Sequence, residues 1–395
     1  MNKADLAPKH SNRRPWNDPR VRSIAFQVIA IAAVFWGGWT LFQNTLANME
    51  SRGISTGFGF LDERAGFGII MSLIPYDSTM TYGRTFLVGL LNTLLVSALG
   101  IIAATILGFL VGVARLSKNW LVSKLALAFV ETLRNIPLLL QIFFWYFAVL
   151  QNLPSPRLSI GLGGVIELNN RGLYVPAPIA EPGFGWVITA FVVAILAAFG
   201  IHRWARNRQL KTGQLFPAFR VGLAVVVGLP LVVYGLTGAP LDWDIPTLQG
   251  FNFTGGITIY PELAALWFAL SIYTASFIAE IVRAGILSVS HGQTEAASAL
   301  GLHSGLTLRL VVIPQAMRVI IPPLTSQYLN LMKNSSLATA IGYPDLVSVF
   351  MGTTLNQTGQ AVEVVAITMA VYLTISLAIS ALMNLYNRAV ALQER

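Results

Sequence analysis

Apolar residues in this chain run in blocks too long for the strands and short helices of a soluble core. Eight such stretches, 24–46, 86–114, 129–150, 186–201, 219–236, 262–284, 319–341 and 362–386, alternate with more polar connections. A helix needs about 20 apolar residues to cross roughly 30 Å of hydrocarbon, so each stretch predicts a membrane-spanning helix. The stretches at 186–201 and 219–236 are the shortest and are rich in Gly and Ala. The first follows a basic segment and could be mistaken for a signal peptide, but its apolar run is too long for one and lacks a clear small-x-small cleavage site. Two connections carry strand patterns. Val165–Val175 reads as two short apolar runs about Asn169-Asn170-Arg171-Gly172, and Phe251–Tyr260 as another pair about Gly255-Gly256. The expected fold class is all-α, a polytopic integral membrane protein of about eight helices.

Composition agrees. Hydrophobic residues make up 55% of the 395 and charged residues 11%, against roughly 25% charged in a soluble protein. The net charge of +9 would suggest nucleic acid in a soluble protein. Here its placement points to membrane orientation, because cytoplasmic loops collect Lys and Arg. Segments 1–23, 115–128, 202–218, 283–318 and 387–395 hold most of the 26 basic residues, with Arg203, Arg206, Arg208 and Lys211 in one short loop. The opposite segments, 47–84, 151–185, 237–261 and 342–361, hold only Arg52, Arg64, Arg84, Arg157 and Arg171. Both termini are therefore expected in the cytoplasm. The chain has no cysteine, and its four histidines are scattered, so no metal or cofactor site is expected. None of the 34 glycines precedes a lysine, which excludes the Gly-Lys phosphate cradle. Energy from ATP would have to come from another chain, and the protein is not expected to be an enzyme.

The segment 288–318 is patterned as two short helices. Thr294 is placed to cap a helix carrying Glu295 at its positive end. Gly301 is placed to end that helix in a left-handed conformation. Ser304 can cap a second helix, expected to stop by Ile313 because Pro314 disfavours helical geometry in the residue before it. Glu295-Ala296-Ala297, three residues, Gly301, nine residues and Val311-Val312-Ile313-Pro314 resemble the EAA loop of bacterial ABC importer permeases, with Val for Ile and Ile for Leu. Three more segments are similar to the polar amino acid uptake branch of that family: Glu131–Gln141, Glu280–Gly285 and Leu331–Leu337, the last with Asn334 where the branch usually has Asp. The resemblance covers 85–150 and 260–386, a five-span core split by an insertion at 151–260. That insertion is similar to the one in the larger permease of general L-amino-acid systems.

The resemblance implies a type I ABC importer permease core, with a permease domain at 85–386. Ahead of it would lie a cytoplasmic tail (1–23), a first span (24–46) and a periplasmic loop (47–84), with a cytoplasmic tail (387–395) after it. It also implies the bacterial inner membrane and a translocation path for L-amino acids. The partners would be a second permease, a dimeric cytoplasmic ATPase docked on the EAA loop and a periplasmic amino-acid-binding protein. Thr294, Glu295, Ala296, Ala297, Gly301, Ile313 and Pro314 would then form the coupling segment.

Within the spans, Glu131–Arg134 and Glu280–Arg283 are each three apart and can meet on one helix face, as interfacial ion pairs or as a gate. Lys333 lies 15 residues past Arg318, about 22 Å along a helix, and shares its face with Gln327, Asn330 and Asn334. With Ser335 these could line the path, or Lys333 could snorkel to the outer surface. Gly108 and Gly112 form a small-xxx-small pair suited to helix packing. An ion-gradient-driven carrier, or an ABC permease for another small solute, is the alternative reading.

Overall fold

The computed structural model describes residues 19–51 and 57–390, so the tails at 1–18 and 391–395, and Arg52, lie outside the described residues. Among the described residues seven helices are long and apolar enough to cross a membrane, or eight when one sharply bent pair is counted as a span. The first two run essentially as expected: α1 (Pro19–Ser51) and α2 (Tyr82–Ala114). The third does not. The expected span at 129–150 is two helices, α3 (Trp120–Asn135) and α4 (Leu138–Phe143), the latter continuing through π-helical turns to Leu150, with an angle of 106° between them. Pro137 has no N–H to continue the ladder and forces Ile136 into an extended conformation. The Gln141 amide then donates to the freed carbonyls of Leu133 (2.9 Å) and Ile136 (3.0 Å), which is what lets a broken helix persist away from water.

The insertion emerges as a unit of its own. Strands β1 (Ile160–Leu162), β2 (Ile166–Asn169), β3 (Gly172–Val175) and β4 (Ala177–Ala180) lead into a helical hairpin, α5 (Phe184–Thr212) and α6 (Ala218–Leu236). Strands β5 (Leu241–Asp244), β6 (Thr247–Gln249), β7 (Asn252–Thr254) and β8 (Ile257–Ile259) lead out of it. The β2–β3 hairpin forms where the pattern places it, turning at Asn170-Arg171 between paired Asn169 and Gly172. The second expected hairpin does not. β7 pairs with β6, while β8 crosses to β3 in the sheet β1-β2-β3-β8. Gly255 and Gly256, at φ +80° and +67°, turn the chain from one sheet to the other, and Gly256 passes so close to Val175 that a Cβ would lie 2.5 Å from its carbonyl oxygen. The fold is mostly helical, as expected, with a small β module in the two connections that carry strand patterns.

The core is built around α7 (Pro261–Leu287), which packs against α2, α3, α4 and α10 (Ile313–Asn334). Leu266, Leu270, Ile278 and Val282 on it are fully buried. Lipid is as apolar as leucine, so burial alone does not drive spans together; close van der Waals contact does. Gly108 and Gly112 of α2 supply it: a Cβ would lie 2.5 Å from Ile278 Cγ2 at Gly108, and 2.7 Å from the Ala279 carbonyl oxygen at Gly112. The connection after α7 holds α8 (His291–Ala299) and α9 (Ser304–Thr307). The last elements are a one-turn α11 (Leu355–Thr358) and α12 (Ala361–Val390), which packs on α10.

The α2–α7 contact gives a direct test. Alanine is a better helix former than glycine by about 1 kcal/mol, so Gly38→Ala on α1, with nothing within 4 Å, should leave stability unchanged or improved. Gly112→Ala should overpack the contact, costing about 1–3 kcal/mol. Melting of the detergent-purified protein should fall for Gly112→Ala and not for Gly38→Ala.

Candidate functional site

The α8 segment, in the connection between α7 and α10, is exposed at every residue but Thr294 and Ala297. It begins four residues earlier than expected. Ser290 precedes the first turn, and Thr294 sits inside the helix with its hydroxyl donating to the His291 carbonyl (2.6 Å). Thr294 is therefore not the cap: its side chain turns back along the helix instead of towards free N–H groups. Glu295 is exposed and meets only His291, across one turn at 2.9 Å. Ala297 is buried against the segment that follows, while Ala296 and Leu300 face outward. Gly301, at φ +76°, ends the helix. Its N–H donates to the Ser298 carbonyl and the Leu302 N–H to that of Ala297, the double closure of a left-handed helix stop. No atom stands within 4 Å of where a Gly301 Cβ would be, so backbone conformation alone selects glycine.

The second half departs further. His303, not Ser304, caps α9, its Nδ1 accepting from the Leu306 N–H at 3.3 Å. The helix does not stop at Ile313 either. It continues from Ser304 through a π-helical turn at Leu308–Val312 into α10. The wider turn leaves room for Pro314, which lacks an N–H and would crowd a regular ladder. After the turn at Gly301–His303, one continuous helix thus leads from the exposed α8 to the interior of the bundle.

The two expected ion pairs fare differently. Glu280 accepts from Arg283 (2.5 and 3.0 Å) and also from Arg115 at the end of α2. Arg115 lies 165 residues away in sequence, and nothing in the pattern announces it. Glu131–Arg134 does not form. Arg134 lies over the Phe277 ring, 5.0 Å from its centroid, because the bend after Asn135 carries α3 across α7. Arg115, Arg134 and Arg283 therefore gather at one level of α7.

Along α10, Asn330 and Lys333 are exposed and Gln327 and Asn334 half-buried. Lys333 has no ion-pair partner among the described residues. Ser335 does not belong to this stripe: it begins a 3₁₀ turn (Ser335–Ile341), is fully buried and donates to the Met332 carbonyl. Sequence reasoning also missed a buried polar cluster beside α2. Asn92 donates to the carbonyls of Met71 and Pro344, the Tyr343 hydroxyl donates to the Asn92 carbonyl, and the Leu346 N–H donates to Thr93 Oγ1, all at 2.9 Å. Asp345, fully buried, accepts from the Ser348 N–H at 2.8 Å. Gly89 makes the approach possible, since a Cβ there would meet Leu346 Cα at 2.9 Å.

A bundle of membrane helices with a polar face on one inner helix and an exposed short helix at one end is the architecture of a membrane transport subunit. The chain belongs to the family of binding-protein-dependent transport system inner membrane components, whose pattern matches residues 100–392. It is similar to a putative amino-acid ABC transporter permease protein of Escherichia coli, at 58% identity over 96% of each chain. A general L-amino acid transport system permease protein of Rhizobium johnstonii is 53% identical, over 99% of this chain and 98% of the relative. A glutamate/glutamine/aspartate/asparagine transport system permease protein of Rhodobacter capsulatus is 43% identical over 96% of each. The chain is thus a multi-pass permease subunit and not an enzyme. The family's partners are a substrate-binding protein and a separate ATPase.

Glu280 yields the test for this region. Glu280→Gln removes the charge that two guanidinium groups share in a partly buried site, and should cost about 1.5–3 kcal/mol. Glu131→Gln, which breaks no ion pair, should be neutral. Comparing the melting temperatures of the two variants checks both statements.

Proposed function

We propose that this chain is the permease of an ATP-driven importer of L-amino acids, placed in a bacterial inner membrane with both termini in the cytoplasm. Its relatives of nearly equal length carry amino-acid transport names, which supports the substrate class. The observation that carries the coupling role is α8: short, exposed, ended by Gly301 and packed on the start of the continuous helix that runs into α10. In this reading Glu295, Ala296 and Leu300, with the exposed Ile313 and Pro314, meet the ATPase, while buried Ala297 and the Gln315–Gln293 hydrogen bond hold α8 to the helix behind it. Glu280 with Arg115 and Arg283 ties α7 to α2 above the coupling segment.

The stripe of Gln327, Asn330, Lys333 and Asn334 lines the translocation path, opposite a second permease. A lysine near the bilayer centre costs about 2.5–3.5 kcal/mol on insertion scales, so a face carrying Lys333 needs protein or water over it. An ammonium there can hold a substrate carboxylate. The permease domain is 85–386, with 151–260 as an insertion on the core. ATP binding and hydrolysis move the bundle only to the extent that the ATPase contacts α8 differently in its two states.

Gly301→Val and Glu295→Lys test the coupling role. Valine at φ +76° costs about 1–2 kcal/mol and redirects the chain after α8, while lysine reverses a charge in the helix's first turns. Both variants should insert normally. The purified complex should lose the ATPase, or keep it with hydrolysis no longer tied to uptake. Normal ATPase retention with normal uptake in both would remove α8 as the coupling element.

Orientation is tested separately in this cysteine-free chain. Cysteine at Ser78 or Gly250 should react with an impermeant maleimide from the periplasm, and cysteine at Ser123 or Gly213 only from the cytoplasm. Labelling at Gly213 from the periplasm would reverse the insertion hairpin.

A further inference from the structure

The α5–α6 hairpin packs principally on itself, along a seam where Gly222 faces Ala198 and Ala190 and Ala194 are buried. Its outer faces are apolar and exposed. At the α5–α6 turn the chemistry changes. A cleft of about 550 Å³ opens between the helices, with His202, Arg206, Gln209 and Arg220 on its walls and Phe216 to Phe219 beneath. His202, Arg206 and Gln209 recur at helical spacing and share a face of α5.

No aspartate or glutamate occurs between Glu181 and Asp242, so none within the hairpin neutralises these groups. Among the described residues, none of its basic side chains forms an ion pair. Depth argues the same way. Phe184 to His202 rises about 27 Å, close to the roughly 30 Å of hydrocarbon. Arg206 and Arg220 then sit at the level of the phosphates. Trp204, exposed, marks the interface as tryptophan does.

We propose that this cleft is a binding site for an anionic phospholipid, with the headgroup phosphate held by Arg206 and Arg220 and the glycerol and first acyl carbons on Phe216, Pro217 and Phe219. A free phosphate would satisfy the charges but would leave that apolar wall unused. Basic pockets at the cytoplasmic ends of membrane helices suit such headgroups.

The test uses the full purified assembly and native mass spectrometry of retained lipid, with titrations of phosphatidylglycerol, phosphatidylcholine and inorganic phosphate. Phosphatidylglycerol should bind the wild type, and Arg206→Gln/Arg220→Gln should weaken it about thirtyfold. Arg206→Lys/Arg220→Lys should restore most of the binding, which separates lost charge from lost folding. Phosphatidylcholine should bind weakly to all three, and inorganic phosphate should not displace the lipid. Equal phosphatidylglycerol binding by wild type and the Gln variant would overturn the proposal. Displacement by phosphate would assign the cleft to a free anion and overturn it too. Loss of the ATPase from the Gln variant with its lipid retained would make the cleft a protein-docking surface, the third contradicting result. Lipid retention is read without transport, so it stands or falls independently of the importer function.

Discussion

The close approach of α2 and α7 is the constraint on which the rest of the bundle depends. In lipid no hydrophobic gain accompanies helix association, so two spans stay together only where their backbones can come near. Gly108 and Gly112 give α2 that surface, and the backbone of α7 at Ala275 and Ala279 fills it. Once α7 is fixed, its other faces receive α3, α4 and α10, and Gly285 lets Ile320 of α10 sit against it. The Arg115–Glu280 contact closes the α2–α7 pair at one end. Asn92, Thr93 and Gly89 pin α2 to the segment after α10 at the other. Neither polar contact could form with α2 a few ångströms further out.

The coupling role proposed for α8 relies on the helix that follows it. From Ser304 to Asn334 the backbone is helical without interruption, widened by π-helical turns ahead of Pro314. In the coupling proposed above, α8 acts on this helix across the turn at Gly301–His303, and the stripe at Asn330 and Lys333 lies on the same helix. The insertion hairpin, by contrast, is coupled to the core chiefly through its short strands and stands apart from that line of force.

The spans were legible in the sequence because length and hydropathy are properties of a segment by itself. Gly301 was legible for the same reason: the stop follows a run of helix formers. What escaped depended on partners. Pro137 is visible in the sequence, but the 106° bend needs the Gln141 amide to satisfy the opened carbonyls. The spacing of Glu131 and Arg134 permits an ion pair, yet Arg134 takes the Phe277 ring instead, a choice set by where α3 crosses α7. Thr294 and Ser304 have the chemistry of caps, but the first turns were set by Ser290 and His303. Ser335 matched the polar stripe in composition and left it when α10 tightened into a 3₁₀ turn. Asp345 sits in what reads as an outer connection, and only the fold brings it against α2.

The central claim is that movement of substrate through this bundle is driven by a separate ATPase acting on α8. It is tested most directly by amino acid uptake in vesicles holding the reconstituted assembly. Uptake should require ATP on the side of α8 and the binding protein on the other, and should be unaffected by a proton uncoupler. Uptake that proceeds without ATP and collapses with the uncoupler would contradict the account, and would point instead to an ion-driven carrier.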